Sequence, residues 1–364
     1  MIVVAKIGTS SITDPVGDVD RHAVERLVSE VAAVRGMGHK TVVVTSGAVT
    51  AGLPALGLGS SRPTDLGTLQ AVSAVGQSRL MRVYDDVLAA HNLVGGQVLL
   101  AASDFVHRRR YLHARQTLAR LLELGVVPVV NENDAVADDE LRFGDNDRLA
   151  ALVSQLVGAD LLVMLTDTAG LFTADPRVDD AASLIEEIVE VDAALEAVAG
   201  GSGSDRGSGG MASKLAAARM ASWSGVRAVI ASAARPGVLT AAVNTEPGVG
   251  TVVRPRERRL PARKLWIAFA VGSSGRVTVD AGARRAIVER GTSLLPAGVT
   301  GVSGDFDQDD AVEVVDGDGA VFAKGLARHP STVLARWAGK RTSELPPDVA
   351  HEVIHRDDLV LLGD

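Results

Sequence analysis

Residues 161–176 read LLVMLTDTAGLFTADP, an apolar run closed by Thr166 and Asp167. No polar residue alternates through the run, so the strand it predicts is covered on both faces, as in a parallel sheet. The same pattern recurs at Ile2–Ile7 and at residues 41–45, 97–100, 126–130 and 228–231. Longer stretches with helical spacing lie between these runs: Arg21–Gly36, residues 64–90, 107–124 and 146–156, and Met211–Trp223. Strand and helix in alternation predict a doubly wound α/β layer with a mainly parallel sheet. Ligands of such sheets sit outside the carboxyl ends of the strands. The residues that follow each apolar run are therefore where chemistry is expected.

The pattern changes after about residue 252. Residues 251–264, TVVRPRERRLPARK, carry two prolines and a dense basic run. They read as a solvated linker, with an anion patch as the alternative. Beyond lie short glycine-punctuated runs at residues 276–280, 298–303, 311–315 and 321–326, with a helical stretch at 281–289. These predict a small, mostly β module. The expected division is a catalytic domain over 1–252, a linker over 253–268 and a second domain over 269–364. A chain of 364 residues with 46% hydrophobic residues can fill two cores. The glycine- and serine-rich stretch 199–210, AGGSGSDRGSGG, cannot pack a core and is expected as a mobile loop.

Composition excludes several classes. A net charge of −8 argues against bulk attraction to nucleic acid or anionic lipid. The absence of cysteine removes disulfides, thiolate zinc sites and cysteine nucleophiles. HEVIH at residues 351–355 has the HExxH spacing, but it falls among the short runs of the β module rather than on a helical stretch that would put both histidines on one face, so no transition-metal site is expected. The opening apolar run is too short for a signal peptide core, and no stretch approaches a membrane span. A soluble, cytoplasmic protein is expected.

Five segments carry candidate chemistry. In VVAKIGTSS, residues 3–11, Lys6 sits near the end of a buried strand and needs a partner. A phosphate would serve; a snorkelling edge lysine is the alternative. In VVVTSGAVTAG, residues 42–52, Ser46 stands where a helix begins, either as an ordinary N-cap or beside an anion site. In VVPVVNENDAVA, residues 126–137, the polar cluster from Asn131 to Asp134 follows an apolar run, and an acid there can pair with a substrate ammonium or shape an Asx-turn. In FGDNDR, residues 143–148, Asp145, Asn146 and Asp147 open a helix, as caps or to position lysines or a metal-bound water. Thr166 and Asp167 end a strand where nucleotide contacts are suitable. In SGGMASK, residues 208–214, glycines expose backbone N–H groups and a lysine lies in the first helical turn, the logic of a phosphate cradle. Neither a Walker motif nor a Rossmann fingerprint is present.

Taken together the segments resemble the amino acid kinase family. The matching stretches, in order, are AKIGTS, VTSGAVTAG, AVGQSRLM, PVVNENDAVA, GDND, LTDTAGLFTADPR and SGGMASK. The later stretch GRVTVDAGARRAIVERGTSLLPAGVTGVSGDF resembles the start of a PUA domain. NENDAVA with GDND and GGMxxK is specific, whereas KxG or TSG alone is weak. The resemblance implies an open αβα sandwich and ATP-dependent phosphorylation of the side-chain carboxylate of free glutamate. It implies that Lys6 and Lys214 hold the phosphates and the group in transfer, and that Asp147 orients them. Thr166, Asp167 and the loop Ser208, Gly209, Gly210, Met211, Ala212, Ser213 and Lys214 would border ATP. Ser46, Asp134 and Asn146 would bind glutamate. Mg²⁺ would be held mainly by the ATP oxygens, and no protein metal site is implied. A homo-oligomer, dimer or tetramer, and a reductase acting on the product would be its partners. Ser208 and Ala212-Ser213 depart mildly from the family's usual residues, and the chain begins almost at the first strand. Rival readings are a kinase of the same fold acting on acetylglutamate, aspartate, carbamate or UMP, and an RNA-binding protein. The acidic residues Asp305, Asp307, Asp309, Asp310, Asp316 and Asp318 in the second domain count against RNA.

Overall fold

The computed structural model describes residues 1–14, 17–59, 63–136, 146–200, 210–257, 259–346 and 350–362. The chain forms two units, Met1–Leu260 and Pro261–Asp364.

The strands of the first unit are β1 (Ile2–Ile7), β2 (Lys40–Val44), β3 (Gly95–Leu100), β4 (Val127–Glu132), β5 (Leu161–Thr166), β6 (Glu187–Ile188), β7 (Arg227–Ser232) and β8 (Thr251–Val253). They form one sheet in the order β3-β4-β2-β1-β5-β7-β8-β6. Every pairing is parallel except that of β7 with β8. The chain builds β2, β3 and β4 on one side of β1 and then places β5 on the other. The strand order therefore reverses at β1, the position where open sheets leave a crevice.

The helices between are α1 (Thr9–Ile12), α2 (Arg21–Gly36), α3 (Ala48–Ala55), α4 (Leu66–Ala90), α5 (Ala102–Val106), α6 (Arg108–Glu123), α7 (Asn146–Val157), α8 (Ala193–Gly200), α9 (Met211–Trp223) and α10 (Val238–Asn244). The two-residue period of β1 divides its side chains between the sheet's faces. Val3, Ala5 and Ile7 pack in one core with α2, α4 and α10. Lys6 points to the other face, where α7 lies against β1 and α9. α2 starts where it does because the Asp20 carboxylate accepts from the N–H groups of His22 and Ala23 at 2.9 and 3.1 Å. α4 starts at Leu66, two residues later than the periodicity suggests, because Asp65 is its cap and accepts from Thr68 N at 2.8 Å.

The second unit contains α11 (Ala262–Leu265), a π-helical turn over Trp266–Ala270, α12 (Ala281–Arg290) and α13 (Ser331–Trp337). Its strands are β9 (Gly275–Val279), β10 (Val299–Gly304), β11 (Ala311–Val315), β12 (Val321–Leu326) and β13 (Leu359–Leu361), in the order β10-β9-β11-β12-β13. Val277, Val279, Val312 and Val314 form its centre with Ile287 and Phe306.

Three regions differ from the expectation. Residues 251–264 divide between the units. Thr251–Val253 is β8, and Arg254 pairs with Glu187 at 2.7 Å. Arg256 pairs with Glu190 and lies over the Trp223 ring at 4.2 Å, whereas Arg263 pairs with Asp358 at 2.6 Å. Arg254, Arg256 and Arg263 of the basic run are thus matched by acids distant in sequence. Next, β4 continues through Asn131 and Glu132, which pair with Leu99 and Leu100 of β3, so half of the polar cluster is strand rather than turn. Finally, Ala199 and Gly200 end α8 and Gly210 caps α9; the rest of the expected mobile loop, 201–209, lies outside the described residues.

Candidate functional site

The register of the sheet brings the polar ends of four strands to one edge. Lys6 is level with Val44 of β2 and Met164 of β5, and Val44 is level with Val130 of β4. Thr45, Ser46, Asn131, Glu132, Thr166 and Asp167 therefore emerge together at the carboxyl edge, beside the end of β1.

Asp147 is the charge centre. It lies in the first turn of α7 and is 0% exposed. Lys6 Nζ, from β1, stands 2.5 Å from its Oδ1, and Lys214 Nζ, from the first turn of α9, stands 3.3 Å from its Oδ2. Ser213 Oγ donates to Oδ2 at 3.2 Å. Lys6 and Lys214 are 3% and 7% exposed. Among the described residues two ammoniums meet on one carboxylate here, and burial magnifies the pull of such a group on an anion. The N-terminus of α9 adds to it. Gly210 caps that helix and offers no side-chain oxygen to its first N–H groups, an arrangement that suits an anion at the helix start. A Cβ on Gly8 would stand 3.7 Å from Lys6 Nζ, so glycine also keeps this approach narrow and clear.

A second, neutral cluster lies next to it. Asn146 Nδ2 donates to Thr45 O at 2.5 Å, to Asn131 Oδ1 at 2.7 Å and to Ser46 Oγ at 3.0 Å. Three acceptors around two hydrogens mean that one bond is shared. Ser46 precedes Gly47, whose φ of +96° suits glycine and turns the chain into α3. Asp134 is held from α4, where Ser73 Oγ donates to Asp134 Oδ2 at 3.1 Å. Asn131 is also bonded to α4: its Nδ2 donates to Gln77 Oε1 at 2.7 Å. On the other side of β1, Thr166 Oγ1 donates to Asp167 Oδ1 at 3.0 Å.

The structure thus joins Lys6, Asp147, Ser213 and Lys214 in one group and Ser46 with Asn146 in another. Asp134, Thr166, Asp167, Met211 and Ala212 take their places at the same strand and helix ends, without a bond to either group among those described. Ser208, Gly209 and Asp145 lie outside the described residues. Asn131 belongs to the neutral cluster; the sequence marks it only as part of the polar run from Asn131 to Asp134, with no role of its own. The available sign was its place directly after an apolar run, but turn residues share that sign.

Residues 1–232 match the amino acid kinase family. The chain belongs to that family. Residues 275–346 match the PUA domain, so the second unit is that module. A glutamate 5-kinase of Moorella thermoacetica is 46% identical over 365 residues, covering 99% of this chain and 96% of the relative. A glutamate 5-kinase of Myxococcus xanthus is 48% identical over 364 residues, with the same shares of each chain. Among solved structures, an isopentenyl phosphate kinase is similar in fold, with a TM-score of 0.51 and 21% identity over 70% of this chain and all of its own. That likeness extends to architecture alone.

Proposed function

We propose that the chain transfers the γ-phosphoryl group of ATP to the side-chain carboxylate of L-glutamate. The product is L-glutamyl 5-phosphate, and the reaction is the first step of proline biosynthesis. The observation that carries this reading is the meeting of Lys6 and Lys214 on Asp147 at the reversal of strand order, within a chain nearly half identical to glutamate 5-kinases over its whole length.

The chemistry asks little of a proton shuttle. A glutamate side chain, with a pKa of about 4.3, is already ionised at pH 7. Its oxygen forms a bond to the γ-phosphorus, the bridging P–O bond breaks, and ADP leaves with the electron pair. The obstacle is repulsion between two anions brought in line, so catalysis rests on positioning and on fixed positive charge. Lys6 and Lys214 supply that charge. Asp147 keeps both ammoniums on one axis without cancelling them. Thr166, Asp167, Gly210, Met211, Ala212 and Ser213, with Ser208 and Gly209, border the nucleotide. Ser46 and Asn146 receive the acceptor, and Asp134 pairs with its α-ammonium, which an N-acetylated amino acid lacks.

Mg²⁺ fits this arrangement as an ion borne by the nucleotide. Each Asp147 oxygen stands within ion-pair distance of a lysine, and Mg²⁺ commonly takes substrate phosphates with few protein carboxylates. It neutralises phosphate charge there. An acyl phosphate is reactive toward water, which supports a reductase as the next consumer. Assembly as a dimer or tetramer is proposed on the family resemblance, and size-exclusion chromatography with light scattering tests it. Among the described residues no helix is long and apolar enough to cross a membrane, and a cytoplasmic location is proposed.

Trapping of acyl phosphate with hydroxylamine tests the activity. Hydroxamate is expected with glutamate, ATP and Mg²⁺ together and with no single omission. A chain that accepts acetylglutamate, aspartate, carbamate or UMP in preference to glutamate would refute the reading.

A further inference from the structure

The stretch AVGQSRLM, residues 74–81, lies on α4 and has no part in the roles above. α4 buries three polar side chains in a single stripe: Ser73, Gln77 and Tyr84. With 3.6 residues per turn they fall within about 40° of one another. Ser73 and Gln77 meet the end of β4, and Tyr84 meets the end of β2. Ser73 Oγ donates to Asp134 at 3.1 Å, Gln77 Oε1 accepts from Asn131 at 2.7 Å, and Tyr84 OH lies 2.9 Å from Thr45 Oγ1. Thr45 and Asn131 in turn both hold Asn146, at 2.5 and 2.7 Å. The bonds run as a ring, Gln77 to Asn131 to Asn146 to Thr45 to Tyr84, that leaves and rejoins one helix.

Backbone groups fix every amide in this ring. The Thr45 carbonyl can only accept, so Asn146 turns its NH₂ toward it. The Glu132 N–H can only donate, and it donates to Asn131 Oδ1 at 2.9 Å. Asn131 must then present NH₂ to Gln77, and Gln77 must answer with its carbonyl. That leaves Gln77 Nε2 as a buried donor with no hydrogen-bond partner among the described residues. Gln77 is only 7% exposed. A buried donor of this kind is costly, and an apolar side chain of similar shape would avoid the cost. Packing alone gives no reason for glutamine here.

We infer that Gln77 is a positioning residue for the amino acid acceptor: through Asn131 it fixes the orientation of the Asn146 amide, and with it the pocket formed by Asn146 and Ser46. The inference rests on the function proposed above. Without the Gln77 carbonyl the Asn131 NH₂ loses its buried acceptor, and only the Glu132 N–H and the Asn146 NH₂ still hold Asn131 Oδ1. Any turn of the Asn131 amide toward a new acceptor draws Oδ1 away from the Asn146 NH₂. Asn146 would then lean on Ser46 Oγ, 3.0 Å away, and occupy the hydroxyl that receives substrate.

The test is a double-mutant cycle of Gln77→Met and Asn131→Ala, read by hydroxamate kinetics with separate glutamate and ATP titrations. Gln77→Met is expected to raise the glutamate KM about tenfold, the loss of one buried hydrogen bond, and to leave the ATP KM within about twofold. The double variant is expected to match Asn131→Ala alone. Tyr84→Phe removes one hydroxyl from the far side of the ring with little change of volume, and answers the question if Gln77→Met fails to fold. It is expected to raise the glutamate KM about threefold, the smaller part of one hydrogen bond. Equal rises in both KM values, independent and additive effects, or an unshifted Tyr84→Phe would overturn the inference. An unmodified chain that makes no hydroxamate with glutamate refutes the activity and this inference with it. An active unmodified chain whose Gln77→Met form keeps its glutamate KM refutes the inference alone.

Discussion

Replacing Asp147 with asparagine takes away the charge that two buried ammoniums share. The contacts are 2.5 Å to Lys6 and 3.3 Å to Lys214, with Asp147 fully buried. At about 3 Å and an effective dielectric of about 20, each contact carries a gross attraction of roughly 5 kcal/mol. Much of that offsets desolvation. The amide oxygen can still accept from one lysine, but the NH₂ then faces the other. Removal of one partner from a buried ion pair costs about 3–5 kcal/mol. For a domain of this size that is on the order of 10 °C in Tm. Turnover should fall about 10²–10³-fold, or about 3–4 kcal/mol of transition-state stabilisation, because the lysines no longer share a fixed axis. The ligand dependence separates this account from simple damage to the fold. ATP phosphates can replace the missing anion, so saturating ATP should raise the variant's Tm by more than it raises that of the unmodified chain. Scanning calorimetry with and without ATP, beside hydroxamate kinetics, gives both readings. A variant with Tm within about 2 °C of the unmodified chain and turnover within about threefold would refute the reasoning, since costs of 3–5 kcal/mol could not then be present.

Further outcomes follow from the same geometry. Lys6→Ala and Lys214→Ala should each lower kcat by about 10²–10³-fold, and near-normal turnover in either would contradict its place beside the transferred group. Asp134→Asn should weaken glutamate far more than ATP; parallel rises in the two KM values would count against a pairing with the α-ammonium. A Cβ on Gly76 would overlap the Ala48 carbonyl and crowd Gly52 N, so Gly76→Ala must push α4 from α3, at a cost of about 1–3 kcal/mol in urea unfolding, with a raised glutamate KM. Burial holds the Tyr84 hydroxyl well above the usual tyrosine range, against the weaker opposing effect of its Thr45 bond. The unfolded group ionises near pH 10, so its contribution is complete below about pH 10 and is lost as pH rises beyond it. Across that alkaline range the unmodified chain should lose about 1.4 kcal/mol per pH unit more than Tyr84→Phe, and equal slopes would rule the effect out.

The central strands were legible because burial on both faces demands unbroken apolar runs, and β1 and β5 fall where those runs do. β6 and β8 were not, since runs of two and three residues become strand only through their neighbours. β3 was read two residues short. Gly95 and Gly96 look like punctuation, but a Cβ there would meet Leu88 at 2.8 Å and Val126 at 3.0 Å, so they are glycine for close packing. At the site, Lys6, Ser46, Asp147 and Lys214 announce themselves by polarity after a strand or at the start of a helix. Ser73, Gln77 and Tyr84 do not, because a helix that buries polar groups is told from a solvated one only by what lies opposite. The residual sign was a four-residue interval of polar side chains, Ser73 to Gln77, within the stripe Leu69, Val72, Leu80 and Met81.

The central place of β1 bears on how the molecule is made. Translation delivers β1 and its Lys6 well before β5, which begins at Leu161 and is its neighbour in the sheet, and before Asp147, which its ammonium meets, and Lys214 of α9, which shares that carboxylate. Until those parts emerge, the nascent chain carries a sticky apolar ribbon with one flank open and a charged group lacking its counterion. Such long-range closure slows folding and lengthens exposure to aggregation. Lys6 is thus synthesised before the groups that seat it, and vectorial folding cannot finish this cluster before the larger unit is nearly complete.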